Sequence, residues 1–282
     1  MVYGDTKINM RKNIITLSLF LFLGLHAKSQ QIVKQYPVFK DGEKITYDAV
    51  YNLGFIWLNA GKVMFNVNDT TYNGTESYHF TSYGTSIPSY DWLFKVRDYF
   101  QTFARKDNLA PYFFERNTYE GGYVVHNKFT FSYKDSLIYT QTENSDNPYS
   151  EDTLHINGNI YDVVSGVYKI RNLDFEQYKI NDTIPVRMII DNEIFDLYVR
   201  YLGKEVIKTH DKRKFRTIKF SALLVEGTIF KGGEDLYVWV TDDLNRIPVL
   251  VEAKILIGSV KATLSGAENL KFPLASEIKK KD

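Results

Sequence analysis

Turn-forming residues recur along most of this sequence every 8 to 12 residues or so, and this spacing constrains the fold more than any other feature. Between the turns, apolar and polar side chains alternate, as in residues 44–51, where Ile45, Tyr47 and Tyr51 share one face. The 21 Tyr and 19 Phe residues favour strands. The sequence therefore predicts a mostly β fold built from antiparallel sheets.

One segment departs from the strand pattern, because residues 162–172 have the periodicity of a helix. Val163, Val167 and Ile170 recur at helical spacing. Asp162 precedes them, and aspartate is a favourable N-cap. A single helix with one apolar stripe, placed between β segments, usually fills or flanks a curved sheet. We therefore expect one principal central helix against curved antiparallel sheets.

The turn signals also predict how the chain is divided. They separate about six strands before the helix from about seven after it. These strands are predicted to form either two sheet lobes, near residues 40–158 and 180–268, or a half-barrel-like arrangement. In both cases the helix is the shared element, and 282 residues are ample for a packed core.

The first 30 residues have the pattern of a signal peptide. Arg11 and Lys12 provide a positive charge, residues 14–25 are apolar, and residues 27–29 match a small-x-small cleavage site. The apolar run is too short to span a membrane as a helix, which needs about 20 residues. We therefore predict that residues 1–30 are removed and that the protein is exported to the periplasm or secreted, without a transmembrane segment.

Composition argues against several classes of function. The net charge is +1, and no basic face is evident, so we expect no nucleic-acid partner. The chain has no cysteine, which excludes disulfides, thiolate metal sites and a cysteine-linked lipid anchor. No histidine has a second one at metal-ligand spacing, and we predict no metal site and no cofactor. The histidines outside the predicted signal peptide are His79, His126, His155 and His210.

Two groups of residues are candidate ligand contacts. Ser165 and Arg171 are polar residues of the predicted helix, and a guanidinium can bind a carboxylate or phosphate with two parallel hydrogen bonds. They either contact a ligand head group in the sheet concavity, or Arg171 pairs with a sheet carboxylate and holds the helix in place, which we favour. Trp57 and Trp239 either line an apolar pocket or pack in the core.

Neighbouring carboxylates offer a catalytic alternative. Paired carboxylates hydrolyse glycosides when they are held at a suitable separation. The sequence contains the pairs Glu234 with Asp235 and Asp242 with Asp243. Both pairs lie at predicted turns, where acidic side chains are favoured for their local hydrogen bonds. We therefore favour a structural role for them.

A recurring tripeptide predicts a modification. Four times, an aspartate is followed by Ser or Thr and then by an apolar residue or Thr, which resembles the O-glycosylation acceptor of some exported bacterial proteins. The acceptor positions are Thr70, Ser136, Thr153 and Thr183. The structural alternative is that Asp-Ser and Asp-Thr simply form turns before strands.

An ordered set of short motifs resembles a known family. The motifs are residues 42–47, residues 60–63, Arg97-Asp98-Tyr99, Pro111, Arg116, Glu120-Gly121-Gly122, residues 162–171, residues 238–249 and Gly258-Ser259. Together they resemble the exported domain of unknown function 3108 over roughly residues 40–268. The resemblance implies export, a β-rich fold and no established activity. The curved sheets of this family are similar to those of periplasmic lipoprotein carriers.

Three hypotheses for function follow. The first is a non-catalytic envelope protein that binds or carries a lipid, a lipidated protein or a glycan. The second is an assembly or structural partner in the cell envelope, which would use an exposed apolar patch. The third is a carboxylate-dependent hydrolase, which would need two carboxyl groups facing each other in a cleft. The sequence leaves the oligomeric state open.

Overall fold

Fourteen antiparallel strands form a single curved sheet in the computed structural model, which describes residues 37–53, 56–225, 233–254 and 259–279. The mostly β prediction is therefore confirmed. The predicted signal peptide lies outside the described residues. The helices of the described chain are all too short or too polar to span a lipid bilayer.

The strands are β1 Lys44–Leu53, β2 Ile56–Tyr72, β3 Thr75–Ser86, β4 Val96–Arg105, β5 Pro111–Glu120, β6 Tyr123–Ser132, β7 Leu137–Asn144, β8 Ser150–His155, β9 Thr183–Ile190, β10 Glu193–Lys208, β11 Lys214–Leu224, β12 Gly233–Thr241, β13 Pro248–Lys254 and β14 Ser259–Glu268. The α-helix, α1, spans Val163–Arg171, and short 3-10 helices span Pro88–Tyr90 and Phe175–Gln177.

The strand order places the first and the last described strands, β1 and β14, in the middle of the sheet. The order is β8-β7-β6-β5-β4-β3-β2-β1-β14-β13-β12-β11-β10-β9. The strands before α1 and those after it are thus the two halves of one sheet, joined where β1 pairs with β14. The edge strands β8 and β9 are connected through α1. Asn192 contacts Asp152 of β8 at 3.4 Å, yet the described strands are not closed into a barrel.

Eight strands precede α1 and six follow it, whereas the sequence predicted about six and about seven; β8 and β10 account for part of this difference. Strand β8 begins within a predicted polar loop. It is an edge strand whose side chains are mostly exposed, so it lacks the apolar alternation that marks a half-buried strand. Strand β10 was predicted as two strands, but Gly203, at φ +98°, lies at a register shift within one continuous strand.

Helix α1 begins and ends close to the predicted positions. Asp162 is the N-cap, and its side chain accepts hydrogen bonds from the backbone N–H groups of Val164 and Ser165. The helix packs against β3, β4 and β9, on what we call the inner face of the sheet. Its Tyr168 ring stacks on Phe80 at 4.0 Å between centroids, at the centre of an aromatic core. The central-helix prediction is confirmed.

Candidate functional site

The guanidinium of Arg171 forms a buried ion pair. Its Nη1 and Nη2 atoms lie 2.7 and 3.2 Å from the two carboxylate oxygens of Glu43, just before β1. The Arg171 and Glu43 side chains are 3% and 0% exposed. Burial alone would lower the pKa of Arg171, but Glu43 more than compensates and the pKa is raised. Arg171 therefore pairs with a carboxylate as predicted, although Glu43 lies in the segment that precedes β1 rather than in a strand of the sheet.

Ser165 is buried beside the N-cap of α1. Its Oγ donates to Asp162 Oδ2 at 2.7 Å and accepts from the Asp162 backbone N–H at 3.1 Å, which completes a capping box. Thr102 of β4 donates to Asp162 Oδ1 at 2.8 Å. The Thr102 bond connects the helix cap to the sheet. A ligand contact by Ser165 or Arg171 stays a prediction.

The two tryptophan candidates belong to strands β12 and β2. Val238 and Val240 of β12 face the core on the inner side, so Trp239 between them projects from the opposite face. Its Nε1 donates to Glu205 at 2.7 Å. Trp57 belongs to β2, but its side chain lies outside the described part of the structure. A binding role for either ring stays a prediction.

The first candidate carboxylate pair is Glu234 and Asp235, and each forms an ion pair with a basic side chain. Arg200 Nη2 donates to Glu234 Oε1 at 2.7 Å, and Tyr198 donates to the same oxygen at 2.6 Å. The Arg200 hydrogen bonds lower the pKa of Glu234 to about 2. Lys254 pairs with Asp235 at 3.0 Å. These contacts support a structural role for the pair.

The second carboxylate pair also makes local contacts. Asp242 pairs with Lys204 at 3.0 Å. Asp243 accepts from the backbone N–H groups of Asn245 and Ser276, both at 3.0 Å. Asp243 thus organises the turn between β12 and β13, as its position in the sequence suggests.

The predicted glycosylation positions lie on strands and turns. Thr70 is half-buried on β2, whereas Ser136, Thr153 and Thr183 are exposed on the β6–β7 turn, on β8 and at the start of β9. Their modification stays a prediction.

Three charged residues gather on the inner face in a way that the sequence analysis did not predict. Asp98 of β4 lies opposite Thr118 of β5, whose neighbours on the same face are Arg116 and Glu120. Thr102, which contacts the helix cap, shares the face of Asp98. The strand register therefore brings Asp98, Arg116 and Glu120 together.

The turn between β9 and β10 adds to this group from across the concavity. Arg116 Nη1 lies 2.8 Å from Asp191 Oδ1 in that turn, and Asn127 Nδ2 of β6 donates to the same oxygen at 3.3 Å. Arg116 Nη2 is 3.9 Å from Glu120. We call Asp98, Arg116, Glu120, Asn127 and Asp191 the inner polar cluster. It carries three carboxyl groups and one guanidinium.

Asp98 has the most unusual environment in the inner polar cluster. Burial, followed by the charge of Glu120, raises the pKa of Asp98 to about 7, although Arg116 acts in the opposite direction. Its Oδ1 atom is buried and has no hydrogen-bond partner among the described residues. A Cβ atom on Gly84, across the strand pair, would come within 3.3 Å of Asp98 Oδ2. Near neutral pH, Asp98 can therefore either donate or accept a hydrogen bond.

Aromatic rings adjoin the inner polar cluster. The Arg116 guanidinium lies 6.0 Å from the centre of the Phe100 ring, and Phe100 lies 6.5 Å from Phe114. Both rings are on the inner face between the cluster and the helix, because they lie on the strand positions between Asp98 and Thr102 and before Arg116. The inner face thus changes from polar to apolar over a short distance.

The connection between β3 and β4, residues 87–95, borders the cluster. We call it the β3–β4 loop. The backbone N–H of Gly121 donates to Lys95 O at 2.8 Å. The Phe94 ring packs so closely on Gly121 that a Cβ there would lie 2.2 Å from Phe94 Cε2. Gly121, at φ +61°, suits both the turn and this contact.

A separate polar cleft of about 410 Å³ lies between α1 and the edge strand β9. Its polar lining residues are Asn157, Asn159, Tyr161, Lys169, Arg187 and Asp196. Arg187 and Asp196 pair with each other at 2.6 Å, so part of this lining is already satisfied. No three His, Asp or Glu side chains in the described ranges are placed to hold a metal ion.

Comparisons with known proteins place the chain by fold and family. It is similar to a crystal structure titled as a beta-barrel-like protein of domain of unknown function DUF1849 from Brucella abortus, with 10% identity and a TM-score of 0.54. The match covers 83% of this chain and 100% of that one, and at this identity it shows the fold alone. No curated protein matches in sequence. The family model described as "Protein of unknown function (DUF3108)" matches residues 46–265, and the chain therefore belongs to that family.

Proposed function

We propose that this protein is an exported, non-catalytic binding protein of the cell envelope that holds an amphipathic ligand against the inner face of its sheet. The observation that carries the proposal is the buried, unpartnered Oδ1 of Asp98 within the inner polar cluster. A buried polar atom without a partner costs about 1 to 3 kcal/mol, so such an atom is expected to find a partner in a bound molecule or water.

The surroundings of Asp98 indicate the chemistry of the ligand. Asp98, Glu120 and Arg116 offer acceptors and donors to a head group that carries hydroxyl or amide groups. Phe100, which is half-buried and lies further along the inner face, suits an apolar chain. A lipid or a lipid-linked glycan combines both properties. The sequence suggests a lipid, a lipidated protein or a glycan as ligand, and the chemistry of the inner polar cluster narrows these candidates to a lipid or a lipid-linked glycan.

Native mass spectrometry of the protein purified from its own envelope tests ligand binding. We expect the wild type to retain a bound molecule, and Asp98→Ala to retain about tenfold less or lower, because the head group loses a hydrogen bond. Glu115→Gln is a matched control, because Glu115 is on β5 beside Arg116 but on the opposite face, where Gln101 donates to it at 2.6 Å. Equal retention by both variants, or no bound molecule in the wild type, would contradict the proposal.

The raised pKa of Asp98 predicts how stability depends on pH. The folded state holds this proton more tightly than the unfolded state, whose carboxyl titrates near 3.8. The free energy of unfolding should therefore fall as pH rises from 3.8 to about 7 and lose nothing further from Asp98 above that. Denaturant unfolding of Asp98→Asn should show a smaller decline across this window than the wild type. Parallel curves for the two proteins would refute the buried, protonated carboxyl.

A second candidate function, hydrolysis, is favoured by one observation. A carboxyl with a pKa of about 7 next to a second carboxyl resembles a general acid beside a base or nucleophile. The retained molecule distinguishes the two functions. A binding protein returns it unchanged after incubation, whereas a hydrolase releases fragments that disappear in Asp98→Asn.

Export is part of the proposal and has its own test. The positive residues, short apolar run and small-x-small site at residues 11–29 support cleavage near residue 30. N-terminal sequencing of the protein from its native cells should find a start close to residue 30 in the periplasmic or secreted fraction. A chain that keeps Met1 or Met10 in the membrane fraction would overturn this prediction.

A further inference from the structure

The β3–β4 loop presents its large apolar side chains to solvent. Trp92, Leu93 and Phe94 are 82%, 60% and 53% exposed, and Tyr90 beside them is 37% exposed. Large apolar side chains that are consecutive and exposed are unusual on a soluble surface and mark a contact with a membrane or a partner.

The loop is held in shape while these side chains stay outside. Backbone N–H groups of Leu93 and Phe94 both donate to Tyr90 O, at 2.9 and 3.1 Å. Asp91 is bound by Arg97, with Nη2 to Oδ2 at 2.5 Å. A surface contact by this loop would therefore require little ordering of the chain, which favours binding.

The loop has one exposed cation, Lys95, that can contact an anionic surface. Asp91 is the loop's one carboxylate, and the hydrogen bond from Arg97 holds the pKa of Asp91 below its usual range. Lys95 is exposed, with its Nζ 5.4 Å from the centre of the Tyr119 ring. Tyr119 is 38% exposed. The loop tip thus offers Trp, Leu and Phe for insertion, with Tyr and Lys behind them, which is the distribution favoured at a bilayer interface.

We infer that the β3–β4 loop docks the protein on an anionic lipid surface by inserting Trp92, Leu93 and Phe94 into the interface while Lys95 contacts lipid head groups. A bilayer fits this loop because three consecutive large apolar side chains are exposed there and its acidic group is already paired with Arg97. Docking here would bring the inner polar cluster close to the membrane, since Phe94 packs on Gly121 next to Glu120. Docking does not depend on the proposed ligand, so the two can fail separately.

Fluorescent labelling of single cysteines tests the docking, because the natural chain has no cysteine. An environment-sensitive dye is attached to the full chain carrying Leu93→Cys. The matched control carries Lys134→Cys, an exposed position in the β6–β7 turn at the opposite end of the sheet. The probe membrane is a vesicle of phosphatidylcholine and phosphatidylglycerol, with brominated acyl chains as a quencher.

We expect the dye at position 93 to shift to shorter wavelength and to be quenched by brominated chains, whereas the dye at position 134 does neither. The unlabelled variant Trp92→Ser with Phe94→Ser should bind vesicles about tenfold more weakly or worse, because two inserted rings are lost. Lys95→Gln should weaken binding to vesicles with phosphatidylglycerol and leave binding to pure phosphatidylcholine unchanged.

Two results would overturn the inference. If vesicles bind the chain but the dye at position 93 remains in water, another part of the chain, such as residues 1–30, is responsible. If the dye at position 93 shifts with protein concentration in the absence of vesicles, the loop contacts a second copy of the chain instead of lipid.

Discussion

Replacing Arg171 with methionine should lower the free energy of unfolding by about 3 to 5 kcal/mol in ligand-free protein. Methionine preserves much of the apolar stem but leaves the Glu43 carboxylate buried without a cation. Arg171 Nη2 also donates to the backbone oxygen of Asn245 at 3.1 Å, and that contact is lost as well. Since Arg171 ends α1 and Glu43 precedes β1, the variant loosens the helix from the middle of the sheet.

Denaturant unfolding measures this loss, and an exposed ion pair supplies the control. Arg187 and Asp196 pair at 2.6 Å with side chains 33% and 75% exposed. Arg187→Met should lower the stability far less than Arg171→Met does, because exposed ion pairs contribute little. An Arg171→Met midpoint as high as that of Arg187→Met would remove the structural role of the buried pair and restore Arg171 as a candidate ligand contact.

Gly166→Pro should cost about 3 kcal/mol or more, a large share of the roughly 5 to 15 kcal/mol that stabilises a typical domain. The backbone N–H of Gly166 donates to Asp162 O at 2.8 Å, the bond that starts the helix. Proline removes this donor and its ring crowds the preceding turn. We expect the variant to accumulate poorly and to unfold at clearly lower temperature.

Gly166→Ala separates the backbone effect from crowding of the side chain. A Cβ at this position would lie 2.9 Å from the terminal Cε of Met188, a flexible atom that can move. Alanine keeps the hydrogen bond and favours the helix, so its cost should be much smaller than that of proline. Similar losses for both variants would show that packing on Met188, rather than the first helical bond, is what Gly166 preserves.

Features that depend on neighbouring residues were predictable from the sequence. The Asp162 N-cap and the ends of α1 follow from helical spacing and capping chemistry within one short segment. The antiparallel strands follow from local alternation and turns. Strand β8 was not predicted, because an exposed edge strand lacks the apolar face by which a strand is recognised in a sequence.

The inner polar cluster depends on distant residues, and local patterns could not reveal it. Asp98 meets Arg116 and Glu120 through the register between β4 and β5, which shifts near the β4–β5 turn. All three were among the motifs shared with the family, and that was the available signal. In the same way, a carboxylate partner for Arg171 was expected from the chemistry of arginine. That this partner is Glu43 depends on the tertiary fold, which brings the segment before β1 next to the end of α1.

The pairing of β1 with β14 determines the order in which the sheet can be completed. Because Lys44 pairs with Glu268, the central seam cannot form until almost the whole chain is available. Until then β1 exposes an unpaired edge, which invites association with other strands. Contacts between such distant parts of a chain also form slowly. A chain with this topology benefits from a chaperone that covers β1 until β14 is available, and a chain truncated before β14 should aggregate rather than fold.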